Sequence, residues 1–531
     1  MRDLLSSRAS RAAGRRALAS AAASLVVSAC AVGPSYHAPV VQVAPAYQAL
    51  DSTRVTAPAP DSGAGPAAAT APGDSAMAGP GGAAALAALT RRDSAGSTIS
   101  AAPPPSPFWN ELGDSALVRL IQEGLRANPD VRVAEARLRD ARASRRLAAF
   151  DFAPTITASG GFSHQRLAEA QLPGAPSSLR EGSLWDAGFD ASWEIDVFGR
   201  VRKSVGAAKA FESSAEQDVR DVQVSLAAEL ARTYLELRGA QAQLAVAQRN
   251  AQNERHTLAL TEDRLAAGKG TALDTARARA QLSTTEAAIP LLEAAVAGNQ
   301  YRIATLLGRT PEELPPEVTR AAELPPLPET VHVGSPSLLV ARRPDVVSAE
   351  RTLAAQTMLI GAAEAEYLPR FSVGASVGRT ATALDSLGGN GATRFFLGPR
   401  ITWSFLDFGR VHARVDESRA RAEEARATYS ATVQRALAEV ETSLVTYDRA
   451  RARLASLADA ASASERAAEL ARLRFAEGVS DFLQVLDAER TLLDAENQLV
   501  RGRTDAATAL VAVYKAVGGT WPGEGGAGAG N

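Results

Sequence analysis

The sequence predicts an α+β membrane protein in which one unit of about 200 residues occurs twice, each copy combining amphipathic strands with very long helices. Three observations lead to this prediction. Landmark residues recur at a nearly constant offset, strand-length segments alternate between apolar and polar residues, and two helical patterns continue for roughly 70 residues without proline. Aromatic residues make up only 5% of the 531-residue chain, which favours alanine-rich helices over a β-sandwich.

The duplication is visible in matched landmarks. Pro129–Val131 matches Pro344–Val346 at an offset of 215, and Trp193 matches Trp403 at an offset of 210. The change of offset places a five-residue length difference between Pro154 and Trp193. We therefore expect each repeat to have the same order of elements: a helix, two strands and two helices.

Strict alternation over Trp185–Asp196 predicts a strand with one apolar and one charged face, and three further strands are predicted near 155–165, 370–377 and 394–405. A soluble sheet with one solvated face would alternate in the same way. Charges on the polar face and aromatics at the strand ends favour a membrane-crossing sheet instead. The side chains assigned to the lipid are Trp185, Phe189, Trp193, Phe371, Phe395, Trp403 and Phe405.

A sheet that crosses a bilayer cannot leave its edges open, and four strands are too few to close. Three chains that contribute four strands each would form a twelve-stranded barrel. The sequence therefore predicts a homotrimer.

Helical periodicity dominates the rest of each repeat. A first helix is expected from about Asp114 to Phe150, and long helices follow from Arg200 and Arg410. At ~1.5 Å per residue each long helix would extend about 100 Å, with an alanine-rich coiled-coil seam. Gly268 and Gly478 are expected to end these helices before return helices begin. The predicted strand-to-helix corners are Phe198-Gly199-Arg200 and Phe408-Gly409-Arg410.

The N terminus has the pattern of a bacterial lipoprotein signal. Five arginines precede a short apolar run that ends in Val27-Ser28-Ala29-Cys30, and Cys30 is the only cysteine. We expect Cys30 to carry a covalent lipid; the alternative is an ordinary signal sequence that happens to contain a cysteine. The predicted segments are a signal peptide (1–29), a lipidated N terminus and Ala/Pro/Gly-rich tether (30–106), a first repeat (107–309), a Pro-rich linker (310–336), a second repeat (337–521) and a flexible tail (522–531).

Composition excludes several classes of function. Lys+Arg is 57 and Asp+Glu is 59, a balance that argues against a general nucleic-acid binder. One cysteine allows no intramolecular disulfide, and the five histidines are not spaced as metal ligands. The sequence contains no run of 18 or more apolar residues, so no transmembrane helix is predicted, and neither an HExxH nor a GxxxxGK[ST] motif occurs. We expect no enzymatic activity, no metal and no cofactor other than the lipid on Cys30.

Together these motifs resemble the outer membrane factor family of TolC-like channels, specifically the NodT-type lipoprotein branch of tripartite RND efflux systems. The resemblance implies a trimeric outer-membrane β-barrel that continues into a periplasmic α-barrel. It also implies a passive conduit for drugs or other small solutes, supplied by an inner-membrane RND-type pump through a periplasmic adaptor (membrane fusion protein). The long tether departs from the usual shorter N-terminal segment. The motifs that carry the resemblance are Cys30–Tyr36, Phe108-Trp109, Asn128–Asp130, both Phe-Gly-Arg corners, Leu486–Arg490 and Tyr514–Trp521.

The resemblance also suggests a gate. In related channels a leucine, an aspartate and an arginine at the matching positions narrow the periplasmic mouth, which implies this role for Leu483, Asp487 and Arg490. These residues share one face of the last predicted helix, where the alternative is an ordinary surface pair. Two other functions stay open: a type I secretion or metal-efflux conduit of the same architecture, and a structural envelope lipoprotein that does not conduct.

Overall fold

The computed structural model describes residues 32–39, 43–44, 46–49, 98–100 (backbone only), 107–171, 173–176 and 180–519. The predicted signal peptide, Cys30, Trp521, the tail and most of the tether lie outside these residues. The described chain consists mainly of long helices, with one four-stranded sheet and one two-stranded sheet.

The elements repeat in order along the chain. The strands are β1 (Thr98–Ser100), β2 (Thr155–Arg166), β3 (Glu181–Ile195), β4 (Thr330–His332), β5 (Arg370–Ala381) and β6 (Thr393–Thr402). The helices are α1 (Phe108–Glu111), α2 (Ser115–Ala127), α3 (Pro129–Ala149), α4 (Arg200–Ala266), α5 (Ala272–Leu306), α6 (Pro316–Thr319), α7 (Pro336–Arg342), α8 (Pro344–Glu364), α9 (Phe408–Ala476) and α10 (Phe482–Ala516). Short 3₁₀ turns, Phe150–Phe152 and Ala365–Tyr367, precede β2 and β5.

The four-stranded sheet is antiparallel throughout, in the order β2-β3-β5-β6. Thr155 lies opposite Ser192 in the first hairpin, and Arg370 lies opposite Thr402 in the second. These pairs are related by the two sequence offsets, so both hairpins have the same register. The length difference between the repeats therefore falls in the hairpin connections, 167–180 and 382–392.

Two expectations about element boundaries were wrong. The single helix expected from Asp114 to Phe150 is two helices, because Asn128 precedes a proline and adopts an extended conformation with ψ 132°. Strand β6 ends at Thr402, so Trp403 and Phe405 lie beyond it. A turn in which the Asp407 N–H donates to the Ser404 carbonyl at 3.0 Å starts helix α9 there.

The chain divides into two compact units. The first contains 32–39, Glu135–Gln217 and Val347–Thr432, and therefore the whole four-stranded sheet. In this unit, the Ser214 hydroxyl is hydrogen-bonded to Ser348 at 2.9 Å and to Thr352 at 3.0 Å, which ties α4 to α8.

The second unit contains the described parts of Val41–Ala134, Asp218–Val346 and Val433–Asn531. Its core includes Phe108, which stacks on Tyr514 with ring centroids 5.1 Å apart. Strand β1 pairs with β4 in parallel, so part of the expected tether lies against the inter-repeat linker.

The duplication extends to the ends of the last helices in the second unit. The side-chain amide of Asn128 donates to the Leu306 carbonyl at 2.9 Å. Arg343, at the equivalent position, donates to the Ala516 carbonyl at 2.9 Å. Each contact satisfies a main-chain oxygen at the end of a helix, where no partner exists within the helix itself.

Candidate functional site

One face of the four-stranded sheet is apolar and exposed. Phe189, Val377 and Phe395 lie in one cross-strand row, and 59% of Phe189 and 82% of Phe395 remain accessible. Exposed aliphatic and aromatic residues in contiguous rows indicate contact with lipid or with another protein surface.

The other face is polar and carries an ion-pair network. Asp186 accepts hydrogen bonds from Arg394 at 2.7 Å and from Thr380 at 2.9 Å, which links three strands. Asp190 accepts from Ser159 at 2.9 Å. The alternation read from the sequence for β3 is therefore present in the structure, since the acidic and apolar residues of this strand face opposite sides.

Sequence reasoning missed one aromatic residue on the polar face. Phe396 follows Phe395 and therefore points to the opposite side, directly across from Ser376. A Cβ atom on Gly374 or on Gly398 would lie 3.5 or 3.0 Å from its ring, so the ring covers the gap that these glycines leave. The run Phe395-Phe396-Leu397 breaks strict alternation, which was the available signal.

The assigned aromatics occupy distinct settings at the strand ends. Trp185 packs on Phe162 with centroids 4.5 Å apart, and Phe371 lies 6.2 Å from Phe198. The rings of Trp403 and Phe405 contact each other, with centroids 5.5 Å apart. Aromatic side chains at strand ends are typical of the interfacial zone of membrane barrels.

The two Phe-Gly-Arg corners are not conformationally equivalent. Gly199 has φ +84° and directly precedes helix α4, a conformation that favours glycine. Gly409 lies inside the first turn of α9. The expectation of a sharp backbone change at Gly409 is therefore wrong. Their arginines also differ: Arg200 forms a two-point pair with Glu194 at 2.9 and 2.8 Å, whereas Arg410 pairs with Asp407 at 2.8 Å.

The three candidate gate residues share an exposed face near the start of α10. Half of the Leu483 surface is accessible, and Asp487 and Arg490 are also exposed. Neither of the two charged side chains forms an ion pair within the described part of the chain. The surface pair considered as an alternative is therefore not formed within one chain.

The opposite face of α10 attaches the helix to its neighbours. Phe482 and Val485 belong to a buried cluster with Phe475 of α9, with the two phenyl rings 5.6 Å apart. Glu489, which sequence reasoning did not select, is buried and accepts from Arg472 at 2.9 Å and from Thr257 at 3.2 Å. Its position in phase with Val485 was a signal that this acid lies in the core.

A second buried carboxylate lies near Glu489. Glu254 accepts hydrogen bonds from Gln281 and Thr285, both at 3.1 Å and both to Oε1. Its Oε2 atom has no partner among the described residues. Burial raises the pKa of Glu254, and the negative charge of Glu489 acts in the same direction.

The described N-terminal segment, 32–39, runs along the first unit. The Val32 N–H donates to the Phe198 carbonyl at 3.1 Å, and the Lys203 ammonium donates to the Pro34 carbonyl at 2.8 Å. The Tyr36 hydroxyl donates to Glu350. The first two contacts hold the segment against the corner that joins β3 to α4, and the third holds it against α8.

The described residues contain neither a candidate metal site nor a membrane-crossing helix. No group of three or more His, Cys, Asp or Glu side chains is arranged to hold a metal ion. No described helix contains a stretch long and apolar enough to cross a membrane.

Comparison with known proteins gives the family. The family model described as outer membrane efflux protein matches residues 120–309 and 335–519. The solvent efflux pump outer membrane protein SrpC of Pseudomonas putida is 30% identical over 427 residues, which cover 80% of this chain and 89% of SrpC. Outer membrane protein OprJ of Pseudomonas aeruginosa is 31% identical over 413 residues, which cover 77% of this chain and 85% of OprJ.

Solved structures of outer-membrane channels agree with this family assignment. The outer-membrane channel OprN superposes with a TM-score of 0.78 at 34% identity, covering 93% of this chain and all of that one. The Neisseria gonorrhoeae MtrE outer membrane channel gives 0.73 at 25% identity, covering 92% and 98%. With its duplicated repeat, exposed apolar sheet face and paired long helices, this chain belongs to the outer membrane efflux protein family, has the TolC-like fold, and is an outer-membrane component of an efflux pump.

Proposed function

We propose that three copies of this chain close a twelve-stranded outer-membrane barrel that serves as the exit conduit of a tripartite efflux system. The supporting observation is a sheet with two unpaired edges. Among the described strands, β2 and β6 each pair on one side only, and the apolar row through Phe189 and Phe395 is exposed. Pairing β6 of one copy with β2 of the next satisfies both edges and turns the apolar face toward lipid.

Transport through this conduit is passive, without catalysis or a cofactor. An inner-membrane RND-type pump supplies the solute, and a periplasmic adaptor joins the pump to the channel. SrpC is named as part of a solvent efflux pump, and OpmQ of P. aeruginosa, 31% identical, is named for pyoverdine export. Their range supports small solutes as the class exported here, in preference to a type I secretion or metal-efflux conduit.

Cys30 carries the lipid anchor in this proposal. Only Ala31 separates it from Val32, whose N–H is bonded to Phe198 at the end of the membrane-crossing hairpin. That contact keeps the acylated residue close to the membrane surface. Several acyl chains on one residue anchor a protein stably.

Leu483, Asp487 and Arg490 form the periplasmic gate. Three-fold symmetry brings three copies of each exposed residue around one axis. Three carboxylates alone would repel, and the three Arg490 side chains, which have no ion-pair partner among the described residues of their own chain, can offset that repulsion across subunits. A docking adaptor can then open the ring by replacing these charge-assisted hydrogen bonds.

Single-channel recording in planar bilayers, combined with drug export in cells that express the matching pump and adaptor, tests the proposal. We expect trimers on native gels, stable ion-conducting channels and export that depends on this chain. Trimers that never conduct would indicate a structural lipoprotein instead. Conducting trimers that support only polypeptide or metal export would favour the other conduit classes.

A further inference from the structure

Helix α3 carries a basic cluster that no step of the proposed conduit uses. The helix leads through a single 3₁₀ turn into the edge strand β2. Four guanidinium groups from little more than two helical turns surround a cavity of about 360 Å³, and one carboxylate, Glu212, completes the lining. The arginine cluster consists of Arg139, Arg142, Arg145 and Arg146.

The cluster retains uncompensated positive charge. Arg145 lies 2.5 Å from Glu212, and Arg142 lies 3.0 Å from Glu216. Arg139 and Arg146 have no carboxylate within 4.0 Å among the described residues. A concave site with two unpaired guanidinium groups suits a phosphate group, which accepts forked hydrogen bonds from arginine.

The second repeat shows that the fold itself does not require these arginines. At an offset of 215 the equivalent residues of α8 are Ala354, Thr357, Ile360 and Gly361, and both helices span 21 residues. The arginine cluster is therefore an addition to one copy of a duplicated framework.

The N-terminal segment identifies the side of the sheet and the height at which the cluster lies. A Cβ atom on Gly33 would lie 2.2 Å from the Gly361 Cα, so the two backbones are in close contact. Gly361 is the counterpart of Arg146. Because an acylated Cys30 must reach the membrane, the segment that follows it lies outside the barrel, near the lipid surface. The duplication places the Arg146 face on that same outer side, at the same level.

Apolar residues next to the cluster also suit a membrane surface. Leu147 and Phe150 follow directly, and 70% of Phe150 is exposed. Strand β2 begins five residues later, at Thr155. Guanidinium groups beside exposed apolar side chains are typical of protein surfaces that contact anionic lipid headgroups.

We propose that the arginine cluster binds the phosphate headgroup of an anionic phospholipid in the inner leaflet of the outer membrane, one lipid per subunit. This inference rests on the proposed lipid-anchored trimer, because the anchor defines the outer side. The lipid holds α3, and with it the edge strand β2, at a fixed depth in the bilayer.

Native mass spectrometry of the full-length protein in detergent tests the site, with phosphatidylglycerol and phosphatidylcholine of identical acyl chains as probes. We expect the wild type to retain phosphatidylglycerol preferentially. Arg139→Gln with Arg146→Gln should weaken that binding about thirtyfold, equivalent to ~2 kcal/mol at ~1 kcal/mol for each basic residue near an anionic surface. Both residues are exposed and form no ion pair with a described residue, so folding should not depend on them.

Two matched variants distinguish lipid binding at the arginine cluster from an effect of the protein's total charge. Arg137→Gln with Arg426→Gln removes the same charge from exposed arginines outside the cluster and should leave lipid binding unchanged. Arg139→Lys with Arg146→Lys keeps the charge and should restore most of the affinity. Loss of binding in the outside variant to the same extent would overturn the proposal.

Other outcomes of the same experiment also test the lipid-binding inference. Equal retention of both lipids by the wild type overturns the inference, as does unchanged phosphatidylglycerol binding in the Gln variant. Displacement by inorganic phosphate at lipid-like affinity would make free phosphate the ligand. The same spectra report trimer mass and acylation at Cys30. A monomeric or unacylated wild type contradicts the proposed function, whereas an acylated trimer without lipid preference contradicts this inference alone.

Discussion

The indole N–H of Trp193 donates to the main-chain carbonyl of Phe152 at 3.0 Å. Trp403 makes the same contact with Tyr367, also at 3.0 Å. Phe152 and Tyr367 each lie two residues before the matched prolines Pro154 and Pro369. Each tryptophan therefore ties the end of its hairpin to the 3₁₀ turn that starts it, once in each repeat.

This pair of contacts predicts matched effects on stability. Trp193→Phe and Trp403→Phe should each lower the stability of the assembled protein by about 1 kcal/mol, because each leaves a carbonyl without its donor. Thermal dissociation of the oligomer on gels measures both. Since the contacts are separate, the double variant should show the sum. A large loss for one variant and none for the other would mean that the repeats do not share this role.

The two faces of β3 should tolerate charge differently. Phe189→Arg places a cation on the apolar face and should reduce assembly, by ~2–4 kcal/mol if the residue lies near the bilayer midplane. Asp190→Arg, one residue away on the polar face, should assemble normally and shift ion selectivity toward anions. Heat-modifiability gels and reversal potentials in bilayers measure the two effects. Equal tolerance of both changes would contradict the assigned faces.

The proposed gate predicts a gain of conductance. Asp487→Ala with Arg490→Ala should widen the periplasmic mouth, because the ring loses its charge-assisted hydrogen bonds. Single-channel conductance should rise, and cells should become sensitive to large compounds that are normally excluded. The control is Arg453→Ala with Asp505→Ala, which removes an exposed ion pair of 3.1 Å elsewhere. An assembled gate variant with unchanged conductance would reduce Asp487 and Arg490 to ordinary surface residues.

Alanine substitutions at the two matched corner glycines should have different effects on stability. Gly199→Ala should destabilise the chain by about 1 kcal/mol or more, because alanine is strained at φ +84°. Gly409→Ala should be neutral or stabilising, since alanine is favoured inside a helix. Chemical denaturation followed by circular dichroism compares the two. Similar losses would indicate that close packing, not backbone conformation, selects both glycines.

The raised pKa of Glu254 predicts that the stability of the folded chain depends on pH. Its pKa is raised in the folded chain, so the folded state holds this proton more tightly than the unfolded state does. The resulting stabilisation is fully present below the unfolded pKa of a glutamate and is lost as the pH rises through the raised value. Glu254→Gln should therefore raise the melting temperature at neutral pH, with a smaller gain below pH ~4. An equal gain at both pH values would exclude ionisation as the cause.

The sequence by itself determined the repeat, the strand alternation and the long helices, because these are local periodicities. A repeat of two residues in a strand and of 3.6 residues in a helix can be recognised in the sequence without any contact information. The offsets of 215 and 210 even located the length difference between the repeats, which lies in the hairpin connections.

Only the tertiary structure decided features that depend on residues far apart in the chain. Trp403 contacts Tyr367 beyond the end of β6, and Gly199 and Gly409 differ in conformation although their sequence motifs are identical. The burial of Glu489 against Arg472 likewise depends on how α9 packs against α10. A strand end, a backbone angle and a buried charge each depend on what another segment contributes, and a local pattern contains no information about that partner.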